Sequence, residues 1–283
     1  MPIASSKPLK TALITGANTG IGAVTAIELS QAGYEVYLAC KSLERTQGVI
    51  QNINNLAGEN RAFFIELDLS DFASIEKCAQ QFLETSKPLH LLINNAGLAG
   101  KRGFTKSGFE MAFGVNHMGH FLLTHLLLDR LKTSAPSRIV TVASKAHKRA
   151  PTRVNWLDAL NPTSSWSGIK EYAVSKLANI HFSAELALQL KGTNVSTYSL
   201  HPGVVNTQVW RELPAFLKPL LKMRGMLTPE QGALTTLYCA LHAPHSQSGL
   251  YYANSQIDTP TPAAYDLDLR KSLWDLSMRS INR

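Results

Sequence analysis

From residue 10 onward, short apolar runs alternate with longer stretches of helical periodicity, and no other feature restricts the fold of this chain as tightly. The runs are 11–15, 35–40, 62–67, 89–94, 138–143, 194–200 and 249–253; the clearest helical stretches are 22–31, 110–132 and 170–190. Strand and helix in strict alternation predict β-α-β units wound into a parallel sheet. A strand inside such a sheet is covered on both faces and reads as nearly continuous apolar sequence, as Leu91-Leu92-Ile93 and Ile139-Val140-Thr141-Val142 do. The expected fold class is therefore α/β, doubly wound, with a seven-stranded parallel sheet flanked by helices.

No internal repeat or linker divides the chain, so residues 1–283 are expected to form one domain. With 45% hydrophobic and only 17% charged residues, the chain can build a core and is unlike a disordered segment. No apolar run reaches the roughly 20 residues of a membrane-spanning helix, and the first ten residues lack the apolar stretch of a secretory signal. Cys40, Cys78 and Cys239 stand far apart in no metal-binding spacing. These features read as a soluble, cytoplasmic protein. Two irregular stretches interrupt the alternation, at 145–168 and 205–229, and long insertions in compact α/β domains are usually lids or binding loops.

The first strand runs into Gly16-Ala17-Asn18-Thr19-Gly20-Ile21-Gly22 and then a helix. Glycines at 16, 20 and 22 let the backbone turn and approach a pyrophosphate, whose charge is favoured by the free N–H groups of a helix N-terminus. In this strand-loop-helix context the glycines predict a Rossmann-type dinucleotide site.

The spacing T-G-x-x-x-G-x-G resembles the short-chain dehydrogenase/reductase family, and further segments follow in that family's order. Asp68-Leu69 resembles its adenine contact, and Asn94-Asn95-Ala96-Gly97 its N-N-A-G, with Asn95, Ala96 and Gly97 at the cofactor. Asn116, Ser144, Tyr172 with Lys176, and Pro202-Gly203-Val204-Val205-Asn206-Thr207 complete the series. The resemblance implies a Rossmann core over 10–200 and a nicotinamide cofactor held by Gly16, Asn18, Thr19, Gly20, Ile21 and Gly22. Pro202 and Gly203 would also lie at the cofactor, with Val205 and Thr207 contacting its carboxamide. It implies Tyr172 as general acid/base, Lys176 as the group that tunes it and binds the ribose, Ser144 at the substrate oxygen, and Asn116 at a relay water. A neighbouring ammonium and a positive nicotinamide would lower the tyrosine pKa.

The tip of the second strand, Cys40-Lys41-Ser42, carries no carboxylate before Glu44. An acid there would accept from ribose hydroxyls, whereas Lys41 and Ser42 suit a 2′-phosphate, so NADP(H) is the expected cofactor. His117 and His120 stand i, i+3 with no third ligand in sight, and they read as packing or supporting groups; no metal is expected.

Leu38-Ala39-Cys40-Lys41, Asn116-His117-Met118-Gly119-His120-Phe121, His201-Pro202-Gly203 and the 28-residue step from Ser144 to Tyr172 resemble the retinol dehydrogenase-like branch. That branch also holds the WW-domain-containing oxidoreductase and the protochlorophyllide reductases. The segment 209–227 holds Trp210, Leu213, Phe216 and Leu217, too apolar for a bare loop, and is expected to act within 205–229 as a lid over a lipophilic substrate. The expected activity is interconversion of a lipophilic aldehyde or ketone and its alcohol. The alternatives are an NADP(H)-binding sensor or scaffold without catalysis, and a protochlorophyllide-reductase-like C=C reductase. By resemblance, the helices 110–132 and 170–190 could pair two subunits.

The net charge of +8 comes from three short segments. They hold Lys101, Arg102 and Lys106; Lys145, Lys148, Arg149 and Arg153; and Arg211, Lys218, Lys222 and Arg224 against Glu212. All three follow strands four, five and six, at the edge where a doubly wound sheet binds ligand. They are expected to steer a polyanionic cofactor and to allow peripheral contact with an anionic membrane. With the basic residues scattered among apolar ones and no recognised nucleic-acid module, nucleic acid is not an expected partner.

Overall fold

The computed structural model describes residues 9–205 and 226–282. Along β1 (Lys10–Thr15), Ala12 and Ile14 join one apolar layer and Leu13 the opposite one. Successive side chains of a strand point to opposite faces, so both faces of this strand need a cover of helices. The other strands are β2 (Tyr34–Cys40), β3 (Ala62–Glu66), β4 (Leu91–Asn94), β5 (Ser137–Val142), β6 (Val195–His201) and β7 (Tyr251–Ala253). They pair in parallel in the order β3-β2-β1-β4-β5-β6-β7.

An eighth strand, β8 (Gln256–Ile257), returns antiparallel beside β7. The chain reverses there at Asn254 and Ser255, with φ of 51° and 59°. Both residues take the left-handed conformation that a tight hairpin demands, and two strand residues are too few to stand out as an apolar run. The parallel seven are thus as expected, with one short antiparallel strand added at the edge.

One face is covered by α1 (Gly20–Gln31), α2 (Leu43–Ala57) and α7 (Pro229–Leu241), through Ala26, Leu29, Ile53, Cys239 and Ala240. The other is covered by α3 (Phe72–Glu84), α5 (Gly119–Thr133) and α6 (Ile169–Gln189), through Ile75, Phe82, Phe121, Leu127 and Phe182. The strand order turns outward in both directions from β1 and β4. This switch point leaves a crevice beyond the strands' carboxyl ends, where ligands bind in such sheets.

The continuous helix expected over 110–132 is broken. A single turn, α4 (Met111–Phe113), leads into a π-helical turn, Gly114–Met118, and only then into α5. Glu110 starts the segment, its carboxylate accepting from the N–H groups of Ala112 and Phe113 at 2.8 and 2.9 Å. The Gly119 N–H reaches back to the Gly114 carbonyl, one residue beyond the α-helical partner. Both glycines are forced by contact: a Cβ on Gly114 would lie 2.4 Å from Thr105 Cγ2, and one on Gly119 2.6 Å from the Leu69 carbonyl oxygen. Such insertions displace a helix register locally and are frequent at functional sites.

The C-terminal helix α8 (Leu267–Ile281) packs on the outer side of α5 and α6. Trp274 meets Phe121 edge-on at 5.2 Å and stacks with Phe182 at 6.4 Å, while His117 Nε2 lies 3.0 Å from Ser277 Oγ. Pairing of subunits through α5 and α6 would have to use faces that α8 leaves uncovered. Among the described residues no helix is long and apolar enough to cross a membrane.

Candidate active site

The loop after β1 turns at Gly16 (φ 66°) and Gly20 (φ 58°), both in the left-handed region that glycine adopts without strain. α1 starts at Gly20, and Thr19 before it makes no side-chain cap, so the first N–H groups of the helix face the crevice for a ligand. Asn95 braces the loop from β4, its Nδ2 donating to the carbonyls of Thr15 at 2.9 Å and Gly16 at 3.3 Å. Thr15 Oγ1 in return accepts from the N–H groups of Asn95 and Ala96, each at 3.0 Å.

Beyond the loop lies the other end of the same cleft, about 310 Å³ in volume, where Ser144, Tyr172 and Lys176 line the wall. Tyr172 and Lys176 are one helical turn apart on α6, and the ammonium lies 5.7 Å from the phenol ring centroid. Lys176 Nζ donates to the Val142 carbonyl at 2.8 Å, which pins it to the end of β5. Burial pushes the Lys176 pKa down to about 7. Burial pushes Tyr172 up to about 12, against the opposing hydrogen bond with Ser144. The expected lowering of the tyrosine is therefore not supplied by these side chains: desolvation of the phenolate outweighs the fields they set up.

Asn116 occupies the π-helical turn and is fully buried. Its Oδ1 accepts from the Leu98 N–H at 2.9 Å, and its Nδ2 donates to the Leu98 carbonyl at 3.0 Å and to Ser175 Oγ at 2.9 Å. Gly97 sits between the two polar groups: a Cβ there would stand 3.2 Å from Asn116 Oδ1 and 3.5 Å from Lys176 Nζ. Asn116 thus stands behind the cleft wall while Ser144, Tyr172 and Lys176 form it.

The family profile described as short chain dehydrogenase matches residues 10–156. The chain belongs to the short-chain dehydrogenase family. It is 44% identical over 276 residues to the dehydrogenase/reductase SDR family member 13 of Bos taurus, covering 95% of this chain and 72% of that protein. It is 43% identical over 274 residues to retinol dehydrogenase 11 of Mus musculus, covering 95% of this chain and 85% of that protein. Among solved structures, an uncharacterised protein from Mycobacterium paratuberculosis superimposes with a TM-score of 0.77 at 30% identity, over 96% of this chain and 93% of that one. The NADPH-bound carbonyl reductase from chicken fatty liver shares the fold, with a TM-score of 0.66 at 20% identity, over 89% of this chain and 99% of that one. The protein is an oxidoreductase of this family.

At the β2 end of this short-chain dehydrogenase cleft, Lys41 and Ser42 line the wall as expected, but both already have partners. Lys41 Nζ lies 2.7 Å from Asp68 Oδ1, and Ser42 caps α2 by accepting from the Arg45 N–H at 3.3 Å. Burial works against the Asp68 carboxylate, but hydrogen bonds from Lys41 and Ser70 outweigh it and hold its pKa below the ordinary value. Leu69 lines the cleft; Asp68 itself reaches it through Lys41 and Ser70, which both line the wall and bond its Oδ1. Arg45, in the first turn of α2, lines the same wall and escaped the sequence reading. Its signal was a second cation one helical turn after Lys41, in a helix whose start the Ser42 cap marks.

At the β6 end, Pro202, Gly203 and Val205 line the cleft. Gly203 has φ 91°, and a Cβ there would stand 2.3 Å from Leu227 Cδ1. Val205 bridges to Leu227, and the Leu227 N–H donates to the Val204 carbonyl at 2.8 Å, so the two ends of the expected lid are tied together. Thr207, Trp210, Leu213, Phe216 and Leu217 lie outside the described residues, as does the third basic segment. Of the other basic residues, Lys101 lines the cleft, while Lys106 is paired with Asp71 at 3.0 Å.

Proposed function

We propose that the protein is an NADP(H)-dependent oxidoreductase that interconverts a lipophilic aldehyde or ketone and its alcohol, with Tyr172 as general acid/base. One observation carries this reading: Ser144, Tyr172 and Lys176 open into the same cleft as Gly16, Gly20 and Gly22. A nicotinamide held in this cleft would supply or accept the hydride. The residues present suit such a ligand, because the bare backbone at the loop and the start of α1 offer N–H groups to a pyrophosphate.

In this reading Tyr172, hydrogen-bonded to Ser144, gives its phenolic proton to the carbonyl oxygen during reduction and takes it back during oxidation. Lys176 would hold the nicotinamide ribose and, with its pKa near neutrality, pass a proton to a water held at Asn116 on the far side of Gly97, and through it to solvent. Val205, which lines the cleft, would orient the carboxamide; the expected roles of Thr207 at the cofactor and of Trp210, Leu213, Phe216 and Leu217 at the substrate fall outside the described residues. A 2′-phosphate would draw on Arg45 and Ser42 and compete with Asp68 for Lys41. The name retinol dehydrogenase, carried by relatives at 40–43% identity, supports a lipophilic alcohol or aldehyde as the substrate class.

The test is turnover of NADPH by purified protein across a panel of retinal, long-chain aldehydes, quinones and steroid ketones. Oxidation of NADPH with at least one lipophilic carbonyl is expected. Tight NADPH binding without turnover on any of them would instead favour the sensor.

A further inference from the structure

Two fully buried histidines stand behind the catalytic wall, each bonded at both ring nitrogens. His120 lies one turn after Asn116, with Nδ1 3.0 Å from the Asn116 carbonyl oxygen and Nε2 2.9 Å from Thr15 Oγ1. Thr15 Oγ1 already accepts the N–H groups of Asn95 and Ala96, and a hydroxyl oxygen has two lone pairs. The Thr15 hydroxyl must therefore donate, and its other acceptor, the Ile93 carbonyl, is farther away at 3.4 Å. Nε2 of His120 is then the acceptor, and the single proton of the neutral ring sits on Nδ1, donated to Asn116.

His147 reaches the same state by a different route. Its Nε2 accepts the backbone N–H of Thr261 at 3.1 Å, and an N–H can only donate. The ring proton is left on Nδ1, which lies 2.5 Å from the Ser144 carbonyl oxygen. Tyr251 on β7 packs edge-on against this ring at 5.1 Å. Burial disfavours the protonated form of both rings, taking His120 to about 4.

We propose that His120 and His147 are positioning residues for the oxidoreductase reaction: two neutral, Nδ1-protonated imidazoles that hold the backbone carbonyls of Asn116 and Ser144. Each ties a site residue to a distant segment. His120 joins the π-helical turn to Thr15 at the mouth of the glycine loop, and His147 joins the end of β5 to Thr261 near the start of α8. The inference rests on the oxidoreductase reading, because only a reaction at Tyr172 makes the placement of Ser144 and Asn116 matter to rate. The ring nitrogens can nonetheless be read without any turnover.

The experiment combines long-range ¹H–¹⁵N correlation spectra of the histidine rings with kinetics of four full-length variants. In His120→Leu and His147→Leu both ring bonds are lost, whereas His120→Asn and His147→Asn retain a donor near the Nδ1 position. The spectra of the wild-type protein should show both rings neutral with the proton on Nδ1, the Asn variants serving for assignment. Each Leu variant should lose on the order of 10- to 100-fold in kcat, the upper end being what misplacement by about 1 Å costs. The cofactor dissociation constant should not change in His147→Leu, whose ring lies away from the glycine loop, and each matching Asn variant should recover most of the rate. A proton on Nε2 of either ring, or a folded Leu variant with wild-type kcat, would overturn the proposal. Should a Leu variant fail to fold, the wild-type tautomers and the Asn variant decide. Wild-type protein with no turnover would count against the oxidoreductase reading, while the same spectra would still accept or reject the tautomers.

Discussion

Adding one methyl group at two helical glycines should move the stability of this protein in opposite directions. On Gly22 a Cβ would stand 2.4 Å from the Gly16 carbonyl oxygen and 2.5 Å from Asn95 Nδ2, where real side chains do not come. Either α1 shifts away from the loop, an overpacking cost of about 1–3 kcal/mol, or Asn95 gives up its bonds to Thr15 and Gly16 at about 1 kcal/mol each. A loss of about 1–3 kcal/mol lowers Tm by about 2–12 °C at roughly 2–4 °C per kcal/mol. Gly48 is exposed in α2, and a Cβ there meets nothing within 4 Å. Gly48→Ala should therefore gain about 0.5–1 kcal/mol from the lower entropy of the unfolded chain, or about 1–4 °C. Thermal unfolding by far-UV circular dichroism measures both, and quenching of protein fluorescence by NADPH measures binding. Gly22→Ala should also weaken NADPH binding, because the loop that moves is the one facing the pyrophosphate. Equal Tm shifts in the two variants, or wild-type NADPH affinity in Gly22→Ala, would refute the reasoning.

Lys176→Met should abolish turnover yet raise Tm at neutral pH, since it removes a buried amine that desolvation opposes. Between about pH 7 and 10.5 the unfolded chain binds a Lys176 proton that the native protein does not, so wild-type stability gains on the variant's as pH rises through that window. Parallel curves would contradict the buried-amine account. Arg45→Ala and Lys41→Ala should weaken NADPH binding more than NADH binding in titrations of each cofactor; equal losses would remove the 2′-phosphate from that corner. Stopped-flow association of NADPH should slow with rising salt if Lys101 and the segment after β5 steer the cofactor, and a salt-independent rate would return them to ordinary surface.

Period and punctuation made the fold legible: apolar runs between turns and helices marked every parallel strand, the four-residue step put Tyr172 and Lys176 on one helix face, and the family resemblance added Ser144 to the same cleft. What stayed hidden depends on contacts between distant segments. The break before α5 arises because Gly114 and Gly119 press against Thr105 and the Leu69 backbone, and a helical period cannot report such a neighbour. Lys41 read as a free phosphate ligand because its partner, Asp68, lies on the far side of β3 in sequence. The rise of the Tyr172 pKa follows from its depth of burial, which a four-residue spacing does not encode. His117 and His120 looked alike in the sequence, yet one turns to Ser277 on α8 and the other to Thr15 beside the loop.

The central claim is that Tyr172 transfers the proton in a nicotinamide-dependent reaction. The direct measurement is NADPH consumption with a lipophilic aldehyde by wild-type protein and by Tyr172→Phe, each with its NADPH affinity determined separately. Turnover that disappears in Tyr172→Phe while NADPH still binds is the predicted result. Turnover at the wild-type rate in Tyr172→Phe would contradict the account.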